Sequence, residues 1–124
     1  MANPNIVNVS SIIGKTAFLT PTAITSTVIL ANSADTNKVF RINNITAANV
    51  NGVNPVDTTV SVNTTATGSG TSFPIVSTVA VPADATLIVT DKSTAFYLEE
   101  NESIVVTSGT SAGITYVVSY EEIA

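Results

Sequence analysis

The sequence predicts an all-β protein, a single-domain antiparallel β-sandwich or barrel with Greek-key or jelly-roll-like wiring and an extended N-terminal arm. Three observations carry this reading. Short runs rich in Val, Ile and Thr recur along the chain with Gly, Pro, Asn and Asp between them. No window shows a convincing helical period. The last run alternates cleanly, with Ile114, Tyr116, Val118 and Tyr120 on one face and Thr115, Val117, Ser119 and Glu121 on the other. Residues 1–20 form the arm or edge strands, and 21–124 the sandwich.

From Asn3 to Thr20, apolar residues mix with small polar ones and Gly14 interrupts them, which suggests two short strands or one extended arm. Such an arm pairs with its own sheet or lies on a neighbouring subunit, and Ile6, Val7, Val9, Ile12 and Ile13 are its candidate assembly contacts. A strand follows over Thr25 to Ala31, and Ser33 to Asn37 is a loop of turn formers. In the strand from Lys38 to Ala47, Phe40 and Ile42 occupy even positions but Ile45 and Ala47 odd ones. One extra residue at Asn43 or Asn44 restores a common inward face, so a β-bulge belongs there.

The stretch Ala48 to Asp57 is a long connection, and Thr58 to Asn63 a strand with Val60 and Val62 on one face. Thr64 to Ser72 has no large side chain and two glycines, so it should be the most mobile loop. In the run from Phe73 to Val81, Phe73, Ile75, Val79 and Val81 are in phase, and Pro74 argues for an edge position. A tight turn over Pro82 to Ala85 leads into the strand Thr86 to Thr90. The strand Ala95 to Leu98 places Phe96 and Leu98 opposite Tyr97. The turn Glu99 to Glu102 has Asn101 as its positive-φ residue, and Ser103 to Thr107 with Ile114 to Tyr120 read as a closing hairpin.

Charged residues make up 10% of the chain, against about 25% in ordinary globular proteins. Thr, Ser and Asn supply the polarity, a surface suited to packing against partners. Four scattered cations, Lys15, Lys38, Arg41 and Lys92, in a chain of net charge −5 fit neither a nucleic-acid backbone nor an anionic membrane. The absence of Cys and His removes disulfides, thiolate nucleophiles, the common zinc ligands and the usual neutral-pH base. No apolar run approaches the roughly 18 residues of a membrane helix, and the opening residues do not read as a signal peptide, so synthesis in the cytoplasm is expected. The Asn-X-Ser/Thr triplets at Asn8, Asn44, Asn63 and Asn101 then read as chance in a Thr-rich chain.

Asp84, Asp91, Glu99, Glu100 and Glu102 lie close in sequence, which raises a glycosidase carboxylate pair or a calcium site. A sugar platform is poorly supplied by a chain with no Trp and three Tyr, and the spacing matches no EF-hand loop. Solvated turns are the expectation. Serine has no partner base, and the Gly-rich loops lack a phosphate-binding pattern. No enzyme activity, cofactor or metal is expected.

Several segments in order carry a resemblance: Ile6-Val7-Asn8-Val9, Ile12-Ile13-Gly14-Lys15-Thr16, Lys38-Val39-Phe40-Arg41-Ile42-Asn43, Ala80-Val81-Pro82-Ala83-Asp84-Ala85-Thr86-Leu87, Tyr97-Leu98-Glu99-Glu100 and Ser119-Tyr120-Glu121-Glu122-Ile123. Together they resemble a family of small proteins encoded by tailed phages of marine bacteria, cyanophages in particular. Where that family has Leu-Glu-Glu-Gly-Asp-Ser, this chain has Leu98-Glu99-Glu100-Asn101-Glu102-Ser103, and it is longer between Val62 and Phe73. The resemblance implies a virion structural protein. The expected role is a capsid decoration or cement protein, a trimer favoured, bound to the major capsid protein. Tail, neck or fibre components and a carbohydrate-binding or adhesin module are the alternatives.

Overall fold

Consecutive strands repeatedly change sheets in the computed structural model, which describes residues 4–124. In chain order they are β1 (Ile12–Leu19), β2 (Thr27–Asn32), β3 (Val39–Asn49), β4 (Val56–Asn63), β5 (Ser72–Val81), β6 (Thr86–Thr90), β7 (Phe96–Leu98), β8 (Glu102–Ser108) and β9 (Ile114–Ile123). One sheet has the order β1-β9-β3-β6, with β7 also on β3, and the other β2-β8-β4-β5. All pairings are antiparallel. The interleaved order is that of a double-sheet jelly roll, the architecture expected from the strand spacing.

β8 and β9 are not the hairpin their sequence suggests. β8 lies between β2 and β4, and β9 between β1 and β3, so the loop at 109–113 crosses from sheet to sheet. Alternation shows that a strand has an apolar face but not which sheet receives it. The face itself is as expected: Ile114, Tyr116, Val118 and Tyr120 are buried and join Ile42, Ile45, Leu98, Ile104 and Val106 in the core between the sheets.

The change of phase in β3 is a bulge. Ile42 pairs with Tyr120 and Asn44 with Ser119, so Asn43 is the extra residue, and Phe40, Ile42, Ile45 and Ala47 all reach the core. β5 is an edge strand, as Pro74 requires, but its phase differs from expectation. Two register shifts against β4 and a positive φ at Thr78 turn Val76 and Val81 inward and leave Phe73 and Ile75 exposed. Gly14 does not break the N-terminal segment. It sits within β1 opposite Glu121, and the turn falls earlier, at residues 6–8.

The loop expected to be most mobile is instead knotted around Asn63. The Asn63 carboxamide oxygen accepts from the backbone N–H groups of Thr65 and Gly70, both at 3.0 Å, and from the Thr65 hydroxyl. Its amide donates to Gly68 O, Gly70 O and Ser72 Oγ. The loop folds over the outer face of the smaller sheet, where Ser103 Oγ donates to Thr65 O and Gly68, at φ 78°, lies directly on Val28 and Val105.

Asn32 and Asn49 repeat the device at the ends of β2 and β3. Asn32 donates to Lys38 O and Leu98 O and accepts from the Thr36 hydroxyl. Asn49 donates to Asn54 O and Val81 O and accepts from Asn51 N–H. A short side chain carrying both a donor and an acceptor satisfies the backbone that each strand end would otherwise leave unpaired.

Candidate assembly surface

Outward-facing residues of the larger sheet follow from the same parities that place Val118, Ile45 and Leu87 in the core. Register aligns Phe18 with Val117, Val117 with Thr46 and Thr46 with Ile88. This is one row across the sheet, and its ends are open, with Phe18 75% and Ile88 60% exposed. Threonines border it at one end, where the Thr20 and Thr115 hydroxyls bond to one another at 2.9 Å. On the other side an open groove of about 830 Å³ is lined by Gly14, Thr16, Ser119, Asn43, Asn44 and Lys92, among others. The bulge at Asn43 and a 3-10 turn, Lys92–Thr94, shape it.

The candidate contacts of the N-terminal segment occupy two settings. Ile12 and Ile13 lie on β1 and are about half exposed. Ile6 and Val7 precede the strand and are open, Val7 at 92%, whereas Val9 is partly covered. The chain just before β1 is tied to the C-terminus, with Ser10 N–H donating to Ala124 O at 2.6 Å and Ala124 N–H to Ser11 O at 3.0 Å. The segment therefore lies along its own sheet. The sequence does not mark Phe18 and Ile88 as surface residues, because the phase of a strand is settled only by its pairing.

Glu122 is the one buried charged residue among those described, and it closes one end of the sandwich. Lys15 and Lys38 each reach a different oxygen of its carboxylate, both at 3.1 Å. Burial alone pushes the carboxyl upward, but hydrogen bonds and charge from the two ammoniums outweigh it and hold the group below its ordinary range. Glu122 in turn raises Lys15. The cluster ties β1, the loop before β3, and β9 together.

The other acids do not converge. Asp91 accepts from Ser93 N–H at 3.0 Å and Ser93 Oγ at 2.6 Å, capping the 3-10 turn, and these bonds hold its carboxyl below the usual range. Glu102 accepts from Glu99 N–H at 2.8 Å within a turn where Asn101 has φ 60°, as its sequence predicts. Asp84 takes the positive-φ position of the 82–85 turn. Glu100 keeps both carboxylate oxygens enclosed with no hydrogen-bond partner among the described residues. Among the described residues no three His, Cys, Asp or Glu side chains are grouped to hold a metal ion, and no helix is long and apolar enough to cross a membrane. Tyr116 and Tyr120 are buried, which leaves Tyr97 as the exposed tyrosine.

No family model matches the chain, and no curated protein matches it. A solved structure does. A chain from Bacillus endospore appendages, described as a novel family of disulfide-linked pili, superposes with a TM-score of 0.50 at 17% identity, covering 99% of this chain and 92% of that one. The likeness is one of fold.

Proposed function

We propose that this chain is a virion structural protein of a tailed phage, a capsid decoration protein that binds the outer shell and stabilises it. The observation that carries the reading is the outer face of the larger sheet. There an exposed apolar row, Phe18–Val117–Thr46–Ile88, is flanked by hydroxyl and amide side chains, and the charges of that face, Arg41 and Glu121 with Asp91 and Lys92, gather on the groove side. A face with few charges loses little on desolvation, which suits side-by-side packing in a repeating shell. The ordered resemblance to marine phage proteins points to the particle. The proposal takes the major capsid protein as partner, includes the trimer, and assigns the chain no catalytic role. Jelly rolls serve capsid and lectin domains alike, so the fold supports this only by analogy.

The test is co-sedimentation with expanded phage heads, followed by heating. Binding to heads and a higher temperature of shell disruption are expected. Binding to tails alone favours the second reading, a tail, neck or fibre component, and binding to neither overturns a virion role. The pilus named for the structural neighbour favours a fibre-like assembly as that second reading. A chain without cysteine needs non-covalent contacts to build one. A carbohydrate-binding module is disfavoured, because one exposed tyrosine and no tryptophan give a sugar little to stack on.

A further inference from the structure

Each sheet of a sandwich has two edges, and unprotected edges invite pairing with another chain. Three of the four edges here carry a defect. β5 has Pro74, two register shifts and a positive φ at Thr78. The lane formed by β6 and β7 is interrupted by the 3-10 turn. β2 shifts register between Val28 and Leu30, and the 64–71 loop lies against Val28. β1 has none of these features. It runs eight residues in unbroken register with β9, and among the described residues no backbone hydrogen bond joins its other side.

We propose that β1 pairs antiparallel with β1 of a second copy about a twofold axis at Thr16, joining the two larger sheets into one. A twofold axis normal to the sheet keeps each face on its own side, so only residues of the same parity can oppose one another. Centring on Thr16 places Thr16 opposite Thr16, Lys15 opposite Ala17, Ile13 opposite Leu19 and Gly14 opposite Phe18. Thr16–Thr16 is a favourable hydroxyl pair, Ile13–Leu19 brings two apolar side chains together, and Lys15–Ala17 sets no charge against a like charge. The neighbouring register, centred on Lys15, sets two ammoniums against each other and is disfavoured.

The Gly14–Phe18 pair is the most specific. Nothing lies within 4 Å of the position a Gly14 side chain would take, while Phe18 projects 75% exposed from the same face two rows away. Across the twofold, each Phe18 ring covers the other copy's Gly14, the aromatic cover that edge glycines favour. The open end of the polar groove at Gly14 and Thr16 is where that ring arrives. The inference is independent of the virion reading, since it rests on the edge alone.

The chain has no native cysteine, so single cysteines report the contact cleanly. Directly opposed antiparallel residues have Cα atoms about 4.5–5.5 Å apart, within disulfide range. Oxidised Thr16→Cys should run as a covalent dimer. Lys15→Cys and Ile12→Cys should stay single chains. The unmodified protein should sediment as an even multiple of 12.7 kDa at micromolar concentration, one twofold pair alone or three pairs where the proposed trimer also forms, and Phe18→Ser should raise the dissociation constant of the pair about tenfold. A strict monomer, or an oligomer in which Thr16→Cys does not cross-link, overturns the proposal. Cross-linking through Lys15→Cys in its place overturns the register.

Discussion

Replacing Asn63 by Ala should unfasten the 64–71 loop and cost about 3 kcal/mol. The side chain is fully buried and makes six hydrogen bonds, three through each end of its amide. Thr65 N–H has no other acceptor among the described bonds, whereas Gly70 N–H keeps the Thr65 hydroxyl at 3.0 Å. One orphaned backbone N–H costs about 1–2 kcal/mol, and the weakened carbonyl contacts about 1 more. If the loop then lifts, Val28 and Val105 lose the cover of Gly68, which adds roughly another 0.5–1 kcal/mol. Urea unfolding should show a midpoint lowered by about 1.5 M for a slope near 2 kcal/mol/M. Native-state hydrogen exchange at Gly70 should accelerate ahead of exchange at the core strands. Asn63→Asp should be no better, because it keeps the acceptor but sets carboxylate oxygens against the carbonyls of Gly68 and Gly70. A loss below about 0.5 kcal/mol, or unprotected loop amides in the unmodified protein, would refute the claim that Asn63 organises this loop.

Two further outcomes follow from buried polar contacts. Glu122→Gln should cost about 1–2 kcal/mol at neutral pH by removing the charge that Lys15 and Lys38 share. The folded carboxyl titrates below its ordinary 4.5, so its contribution is complete above that value and disappears as pH falls through the folded pKa. Stability of the two proteins, measured by thermal unfolding across pH, should therefore converge in acid, and a constant gap would refute the assignment. Lys15 has the opposite sign, with a contribution present below 10.5 and lost as pH rises through its raised value. Tyr116→Phe should cost about 1–3 kcal/mol, because the phenol donates to Thr107 O at 3.0 Å and bonds Thr58 in the core. A double-mutant cycle with Thr58→Val should give a coupling above about 0.5 kcal/mol, and strict additivity would count against a shared bond.

Local irregularity was legible where it altered parity or demanded a special backbone. The shift from even to odd apolar positions marked the bulge at Asn43, and Asn101 marked a positive-φ turn. Pro74 marked an edge. What alternation could not supply was the partner of each strand, which is why β8 and β9 read as a hairpin although they lie in different sheets. Composition misled in the 64–71 loop, since small residues permit mobility but also permit close packing of backbone on Val28 and Val105. The missed signal was positional: Asn32, Asn49 and Asn63 each end a strand just before a run of turn residues, where a buried carboxamide can bind both sides of the loop.

The bulge in β3 also helps explain why one sheet edge is open and the opposite one is not. β3 pairs with β6 through Ile45 to Ala48 and with β7 through Phe40 to Ile42, so the interruption of that lane falls beside Asn43 and Asn44. There the chain leaves the sheet for the Asp91-capped turn, in which Asp91 and Thr94 satisfy each other's backbone through a reciprocal capping box. An added strand would meet a gap in the ladder halfway along. β9 absorbs the same bulge on its β3 side but keeps an unbroken register with β1 on the other. The irregularity is therefore not transmitted across the sheet, and β1 remains a straight eight-residue template. A mutation that moves the defect to β1, such as Ala17→Pro, should abolish pairing there while leaving Tyr116 and Val118 buried, which separates loss of the edge from loss of the core.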